Sequence, residues 1–582
     1  MFTQRFSPLS SAIGDWLIKD LARRGECARV QAHRPYFESL LNEFGLAYSC
    51  EPIESSRIPR EGPAVVVANH PFGLAEGPIL GDLLTRCRPD VKFLANSLLT
   101  AIPGLAPYLL PVDPFGGPTA ARQNVTSMRQ GLKWLEEGHL LVIFPAGEVA
   151  SFQGPQLGIT DPSWHAGLAR IIRRSKASVV PAFFHGINSP AFHAAGLLHP
   201  RLRTLLLPFE FHNKRGTTIR LSIGSAIPAR RLSHLTGDSE LIQYLRHRTY
   251  LHAGQRARTS KPTAAAARAK IANPSEPAAQ REEVAALRPD QQLISANEFD
   301  VYIASAQDIP AILQEIGRLR EVTFREAGEG SGNARDLDVF DQHYQHLFMW
   351  NRVKEEVVGA YRVARTDEVV SRFGPQGLYT STLFRLRPGF LQSIQPALEL
   401  GRSFVRKEYQ RSYTPLLLLW KAIGSYVVAN PRYKTLFGPV SISRDYTTRS
   451  QELIVAYAQA RRRNVELAGS VRPRRKFASG SSRAQNLRLL GEMLPDLAEL
   501  SSVVSDLEPD GKGIPVLLHH YLNIGGEVLE FSVDGSFSDV LDGLVVVDLT
   551  QTNRRMLERY MGSTGASRFL GHHLALEVAA PG

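Results

Sequence analysis

A histidine that ends an apolar run, with a carboxylate six residues on, is a pattern able to activate a hydroxyl. In Val66-Val67-Ala68-Asn69-His70-Pro71-Phe72-Gly73-Leu74-Ala75-Glu76-Gly77 the run stops at His70, and Glu76 follows across a glycine-containing turn. An imidazole at a strand end can take a proton from a hydroxyl, and a nearby acid fixes its tautomer. The same spacing also fits an ordinary strand–turn–helix corner, so the pair needs partners. Two further blocks stand downstream. Phe144-Pro145-Ala146-Gly147-Glu148 makes a tight turn whose amides can face an anion, with Glu148 as a polar contact. Val179-Val180-Pro181-Ala182-Phe183-Phe184-His185-Gly186 is another apolar run, carrying Pro181; His185 reads as a core histidine.

The elements that must position these groups alternate. Strand-like runs at Ala64–Ala68, Val91–Leu94, Leu140–Phe144, Val179–Phe184 and Ile219–Ile223 are separated by helical patterns. That alternation predicts an α/β domain with a central sheet and active groups at strand ends. At 582 residues the chain exceeds one core. Gln255 to Arg288 is Ala-rich with scattered Pro and charge, which predicts a linker over 255–296 between domains at 1–254 and 297–582. Gly469 to Arg483, basic and Ser/Gly-rich, reads as an exposed loop. Ala12–Arg23 places Ile13, Trp16, Leu17 and Leu21 on one helical face, suited to packing on the domain or to a membrane interface.

The second half carries a different set of charges. Asp308 and Pro310 open a helix reaching Arg320. Phe324, then Asp338 and Asp341, then Arg362 in a strand-like run, then Glu399 and Arg402 follow in order. The aspartates are placed to orient Arg320 or Arg362, and Glu399 to pair with Arg402 at a strand end. As a bare pattern this is a charge network, structural or functional.

Composition narrows the classes. The net charge of +12 would attract nucleic acid, an anionic membrane or an acidic carrier protein. No zinc-finger spacing, aromatic RNA-binding signature or recognition helix supports nucleic acid. No run approaches the ~18 apolar residues of a span; Ala64–Ala68, Leu140–Phe144 and Leu416–Trp420 are strand-sized. Cys27, Cys50 and Cys87 lack metal-ligand spacing and fit a reducing compartment. Met1 to Arg5 shows no signal-peptide pattern, so a cytoplasmic protein without bound metal is expected.

Over roughly residues 50–230 the chain resembles the lysophospholipid acyltransferase family, with its glycerolphosphate-acyltransferase-like fold. The shared features are the His block, the later Pro/Gly/Glu block and the proline-bearing strand. The acid is Glu76, one residue beyond the family's Asp position. The resemblance implies His70 as base, Glu76 as its orienting acid, and Gly147, Glu148 and Pro181 on the acceptor side. The family's acceptor-binding arginine is not evident; Asn96 and Arg122 lie in the region.

Over about 298–445 the order Arg320, Phe324, Asp338, Asp341, Arg362, Glu399, Arg402 is similar to GNAT-like acyltransferases that resemble acyl-homoserine-lactone synthases. Nearest in pattern are the N-acyltransferases of lyso-ornithine lipid, with sequences labelled hemolysins; Pro515–Tyr521 and Leu541–Asp548 look like the extension of the larger ones. This implies N-acylation with Glu399 as candidate base and Arg320, Asp338, Asp341, Arg362 and Arg402 lining the acceptor or shaping the network.

Together the resemblances imply two α/β acyltransferase domains making an aminolipid, with ornithine as the expected amino acid. The C-terminal domain would N-acylate it with a 3-hydroxyacyl group, and the N-terminal domain would then O-acylate that hydroxyl. The implied donor is acyl carrier protein, with acyl-coenzyme A the alternative, and no cofactor is bound. The expected location is the cytoplasmic face of a bacterial inner membrane, held peripherally. The competing reading keeps only a lysophospholipid O-acyltransferase, its C-terminal half serving to bind carrier or membrane.

Overall fold

The computed structural model describes residues 8–30, 35–113, 118–154, 158–198, 200–253, 269–478 and 482–579. Contacts divide the chain into two units, Met1–Thr259 with Ser481–Pro509, and Ser260–Gly480 with Asp510–Gly582. The sequence suggested a contiguous C-terminal domain; Ser481–Pro509 instead belongs to the first unit.

The first unit is built on a seven-stranded sheet: β1 (Ala47–Ser49), β2 (Ala64–Ala68), β3 (Val91–Asn96), β4 (Leu109–Val112), β5 (Leu140–Ile143), β6 (Ser178–Phe184) and β7 (Thr218–Ile223). Their order is β1-β7-β6-β2-β5-β3-β4, parallel except between β6 and β7. Ala64–Ala68 is buried throughout, as expected of a central parallel strand covered on both faces. Central β2 pairs Val67 with both Ile143 and Pro181. The three blocks therefore leave or cross neighbouring strands on one edge of the sheet, the carboxyl end where α/β sheets place their ligands. The helix Pro8–Val30 packs back on this unit through Leu21 and Ala28; the side chains of Ile13, Trp16 and Leu17 lie outside the described residues.

The returning segment is fixed by charge. Arg248 is buried, pairing with Glu499 and, at 3.1 Å, with Asp506. Tyr244 donates to Glu499 at 2.7 Å, Arg231 reaches it at 2.9 Å, and the Ser225 amide donates to Asp506 at 3.0 Å.

The second unit holds an eight-stranded sheet: β8 (Gln292–Ala296), β9 (Phe299–Ser305), β10 (Gln345–Asn351), β11 (Glu356–Arg365), β12 (Ala397–Val405), β13 (Thr435–Ile442), β14 (Glu527–Asp534) and β15 (Val540–Asp548). The order is β8-β9-β10-β11-β12-β13-β15-β14, antiparallel apart from β12 and β13. Those two pair only from Ala397↔Thr435 to Glu399↔Phe437. Gly438 permits the last close approach, since a Cβ there would sit 2.0 Å from the Leu400 carbonyl oxygen. Beyond it β13 continues with β15, and β12 with β11, so the central strands part.

Three expectations change here. Part of the linker is structured: Pro277–Ala286 is a helix, and Glu283 accepts from the amides of Ala311 and Ile312, capping the next helix, Pro310–Glu326. Gln292–Ala296, at its end, is a strand, and residues 255–268 of that linker lie outside the described residues. Leu416–Trp420 is not strand-sized but part of the helix Thr414–Ala429, a distinction that a short apolar run does not make. The tail is no appendage, because Leu541–Asp548 lies within β15 inside the sheet.

Candidate active sites

In the first unit the chain leaves β2 through Asn69, whose side chain exchanges two hydrogen bonds with Phe184: its amide donates to the carbonyl at 3.0 Å and its carbonyl accepts from the amide at 2.7 Å. This ties the ends of β2 and β6 together. The His70 amide donates to Asp161 at 3.1 Å. Asp161 also accepts from the Trp164 indole at 3.0 Å, and its amide donates to the Tyr250 hydroxyl at 2.8 Å. The His70 carbonyl accepts from the Ala150 amide at 2.9 Å, so the backbone there is held on both sides. Asp161 lies 91 residues from His70, and no spacing signal could have found it.

Glu76 opens the helix Glu76–Thr85, is fully buried, and turns back so that Oε1 lies 3.3 Å from His70 Nδ1. The same oxygen accepts from the amides of Phe72 at 2.6 Å and Gly73 at 3.1 Å. Burial pushes this carboxyl up, but His70 and the Phe72 amide outweigh it and hold it below its ordinary value. Burial likewise pulls the imidazole down, yet the Glu76 charge and hydrogen bond, helped by Asp161, raise it above its ordinary value. With Nδ1 turned to Glu76, Nε2 is the nitrogen left for a substrate hydroxyl.

The other block residues serve differently. Gly147 sits in the left-handed region (φ 67°), its amide donating to Phe144 at 3.0 Å, and a Cβ would meet His165 Nε2 at 3.3 Å. Glu148 is exposed and pairs at 2.7 Å with Arg203, a basic residue that the sequence reading passed over. Pro181 is buried in β6 and packs on Gly224, so it supports the sheet edge and lies behind the His70 loop. Arg122 is exposed, and Asn96 caps the turn at Leu98.

In the second unit the expected charges do converge. Arg320, fully buried, pairs with Asp341 at 2.8 Å; Arg362 pairs with Asp338 at 2.5 Å and Asp341 at 3.3 Å. The Arg320 and Arg362 charges hold Asp341 well below the usual carboxylate range against the upward push of burial. Arg402 pairs with Asp336 at 3.2 Å and makes no ion pair with Glu399. It has φ 48°, at a bulge opposite β11, a strained setting for a non-glycine residue.

Glu399 accepts from the Tyr344 hydroxyl, from the Thr380 amide at 2.6 Å and from the Thr380 hydroxyl. Tyr344 also accepts from the Tyr379 amide at 2.8 Å. These bonds fix Tyr379, whose ring lies 5.1 Å from the Arg362 guanidinium and 4.7 Å from that of Arg402. Tyr344, Tyr379 and Asp336 went unassigned in the sequence; aromatic residues between charged blocks carry no spacing signature.

The described residues contain no cluster of metal-ligating side chains. One unit thus holds a buried histidine–carboxylate pair and the other a charged network over a parted sheet edge, each an arrangement suited to activating a nucleophile. The chain matches the acyltransferase family over residues 29–256 and the GNAT acetyltransferase domain family over 319–420. The chain is an acyltransferase.

It joins an acyltransferase α/β domain to a GNAT-like α/β domain. The acyltransferase is 29% identical over 282 residues to a glycine N(alpha)-acyltransferase of Phocaeicola vulgatus, covering 46% of this chain and 86% of that protein. It is 28% identical over 201 residues to a lyso-glycine lipid O-acyltransferase of the same organism, covering 33% and 69% respectively. The crystal structure of the 1-acyl-sn-glycerophosphate acyltransferase PlsC from Thermotoga maritima aligns at TM-score 0.25 with 16% identity, over 41% of this chain and 90% of that one. The expectation of an ornithine-lipid enzyme is corrected by these relatives: both named activities concern glycine. The reading that left the C-terminal half without catalysis falls with it, since that half matches a transferase domain.

Proposed function

We propose that this chain makes a doubly acylated amino-acid lipid of the glycine type. The GNAT-like unit N-acylates the amino acid, and the first unit then O-acylates a hydroxyl on the attached chain. What carries this reading is the pairing of two sites in one polypeptide with relatives named for an N-acyl transfer to glycine and an O-acyl transfer to a lyso-glycine lipid.

In the O-acyl step the substrate hydroxyl gives its proton to His70 Nε2 while its oxygen attacks the thioester carbonyl. The C–S bond breaks, and the leaving thiolate takes the proton back from the imidazolium. Glu76 stabilises that imidazolium and keeps Nδ1 protonated. Glu148 and Arg203 stand where an acceptor head group would be met. In the N-acyl step the guanidinium of Arg402 meets the amino-acid carboxylate, and Glu399 anchors Tyr344, Thr380 and Tyr379.

An acidic carrier protein is the proposed donor partner, supported by the net charge of +12. Peripheral membrane attachment is supported by exposed Leu197, Leu198, Leu202 and Phe209 on Pro190–Leu198 and Pro200–Asn213. No described helix is long and apolar enough to cross a membrane.

The test is expression in a bacterium lacking aminolipids, fed isotopic glycine, with lipid mass spectrometry. A labelled doubly acylated lipid is expected, and His70→Ala should leave only the mono-acylated form. An unlabelled product would overturn the amino acid, and a doubly acylated lipid from His70→Ala would overturn the division of labour.

A further inference from the structure

Where β12 and β13 part, one flank carries Arg402 on β12 and the other carries Ser441 on β13, paired with Asp542 on β15. Asp542 is only 3% exposed, the third residue of a strand that is otherwise apolar up to Asp548 at its end. Its Oδ1 accepts from the Ser441 hydroxyl at 2.8 Å, while Oδ2 has no hydrogen-bond partner among the described residues. Arg402 is in the complementary condition. Its Nε faces Asp336, its plane stacks 4.3 Å from the Phe537 ring centroid, and its terminal nitrogens donate to no described residue. A carboxylate oxygen and a part-buried guanidinium fork, neither with a hydrogen-bond partner among the described residues and each within the other's field, call for a ligand with both charges.

Glu329 closes the same space. It comes from the glycine-rich turn after Pro310–Glu326, which is pinned by its own amide to the Phe324 carbonyl at 2.8 Å and by Ser538 to the Gly330 carbonyl at 2.9 Å. The Asp542 charge acts on Glu329, with Asp445 behind it.

Resting on the N-acylation reading above, we infer that Asp542, assisted by Glu329, binds the ammonium of a zwitterionic α-amino acid whose carboxylate is held by Arg402, and takes the proton that the amine must lose. The ammonium gives one proton to Asp542 Oδ2, and the freed lone pair attacks the thioester carbonyl carbon. As the C–S bond breaks, the thiolate takes a second proton from the same nitrogen, leaving the amide; Asp542 returns its proton to solvent. Burial, with Asp534 adding to it, pushes the Asp542 carboxyl up to about 7, offset in part by Ser441 and Arg402. Burial and Asp542 push Glu329 to about 8, with Asp445 adding and Arg402 opposing. Both values suit groups that exchange protons near neutrality.

The experiment uses the full chain and two nucleophiles, glycine and aminooxyacetate, which presents a carboxylate but an amine already uncharged at neutral pH. Asp542→Asn should lower kcat with glycine by about 100-fold or more yet leave aminooxyacetate acylation close to wild type. Arg402→Lys should raise KM for both nucleophiles by roughly 10–100-fold, as expected for a lost charged hydrogen-bonding pair. Glu329→Gln removes a like charge and should move the acid limb of the glycine profile to lower pH. Unchanged glycine turnover in Asp542→Asn, or equal loss with both nucleophiles, would overturn the assignment. A wild-type chain that acylates no amino acid would instead sink the N-acylation reading on which it rests.

Discussion

The two sites solve related problems with different chain economies. The first unit's pair, His70 and Glu76, comes from seven consecutive residues, and a single turn brings the acid to 3.3 Å from Nδ1. The site of the second unit draws Arg320, Asp341, Arg362, Glu399, Arg402 and Asp542 from a helix, a turn and three strands. The difference follows from the chemistry proposed for each. A hydroxyl needs one base with its tautomer fixed, which a local motif can supply. A zwitterionic amino acid needs opposite charges held apart, and only separate elements can keep them from neutralising one another. Buried charges then require their own partners, so the second site is supported by a network of ion pairs where the first is held mainly by hydrogen bonds.

The comparison is broken most sharply by His70→Ala. O-acyl transfer should fall by about 10²–10⁴-fold while N-acylation in the same chain continues, measured as accumulation of the mono-acylated lipid. Arg320→Met tests the opposite kind of site. Removing one partner from a buried network should destabilise the second unit by about 3–5 kcal/mol in denaturant unfolding and abolish N-acylation. An equal loss of O-acylation would show that the two units do not fold independently.

Glu76→Gln comes next, with an expected loss of about 10–100-fold in O-acyl kcat/KM and a telling pH profile. The proposed base, His70, would act in its neutral form, whereas its charged form is favoured in the folded site. The wild-type acid limb should therefore lie above the ordinary histidine value of about 6.5 and rise with pH; Glu76→Gln should move it downward. A limb that stays in place would detach the acid from the imidazole.

Glu399→Gln keeps oxygen and nitrogen where the carboxylate stood, so an anchor should lose less than about tenfold in N-acyl kcat, whereas a catalytic base would lose 10²-fold or more. Smallest is Glu148→Gln: its exposed pair with Arg203 should contribute under about 1 kcal/mol to stability, and O-acyl KM should change by no more than a few-fold.

Legibility in the sequence follows the same divide. The strands of the first sheet were readable because β-branched runs such as Ala64–Ala68 are buried on both faces. His70 and Glu76 were readable because their spacing is local. Asp161 was not, since its contact with His70 spans 91 residues. Arg320, Asp338, Asp341 and Arg362 emerged by resemblance and do meet, but the pairing of Arg402 with Asp336 displaced the expected one with Glu399. Asp542 lay in a stretch taken for an extension, although an acid inside Leu541-Asp542-Gly543-Leu544-Val545 is unusual in a buried strand and was itself a signal. Pro277–Ala286 escaped because its order comes from tertiary capping, not from apolar periodicity.

The return of Ser481–Pro509 to the first unit also sets an order of events during synthesis. Arg248 is made early, but Glu499 and Asp506 leave the ribosome only after residues 260–480 have been translated. The first unit therefore waits, incomplete, while most of the second unit is produced. A message broken anywhere before the codon for Asp506 yields a first unit with its buried arginine incompletely paired. Completion of the first unit is thereby tied to translation of most of the second.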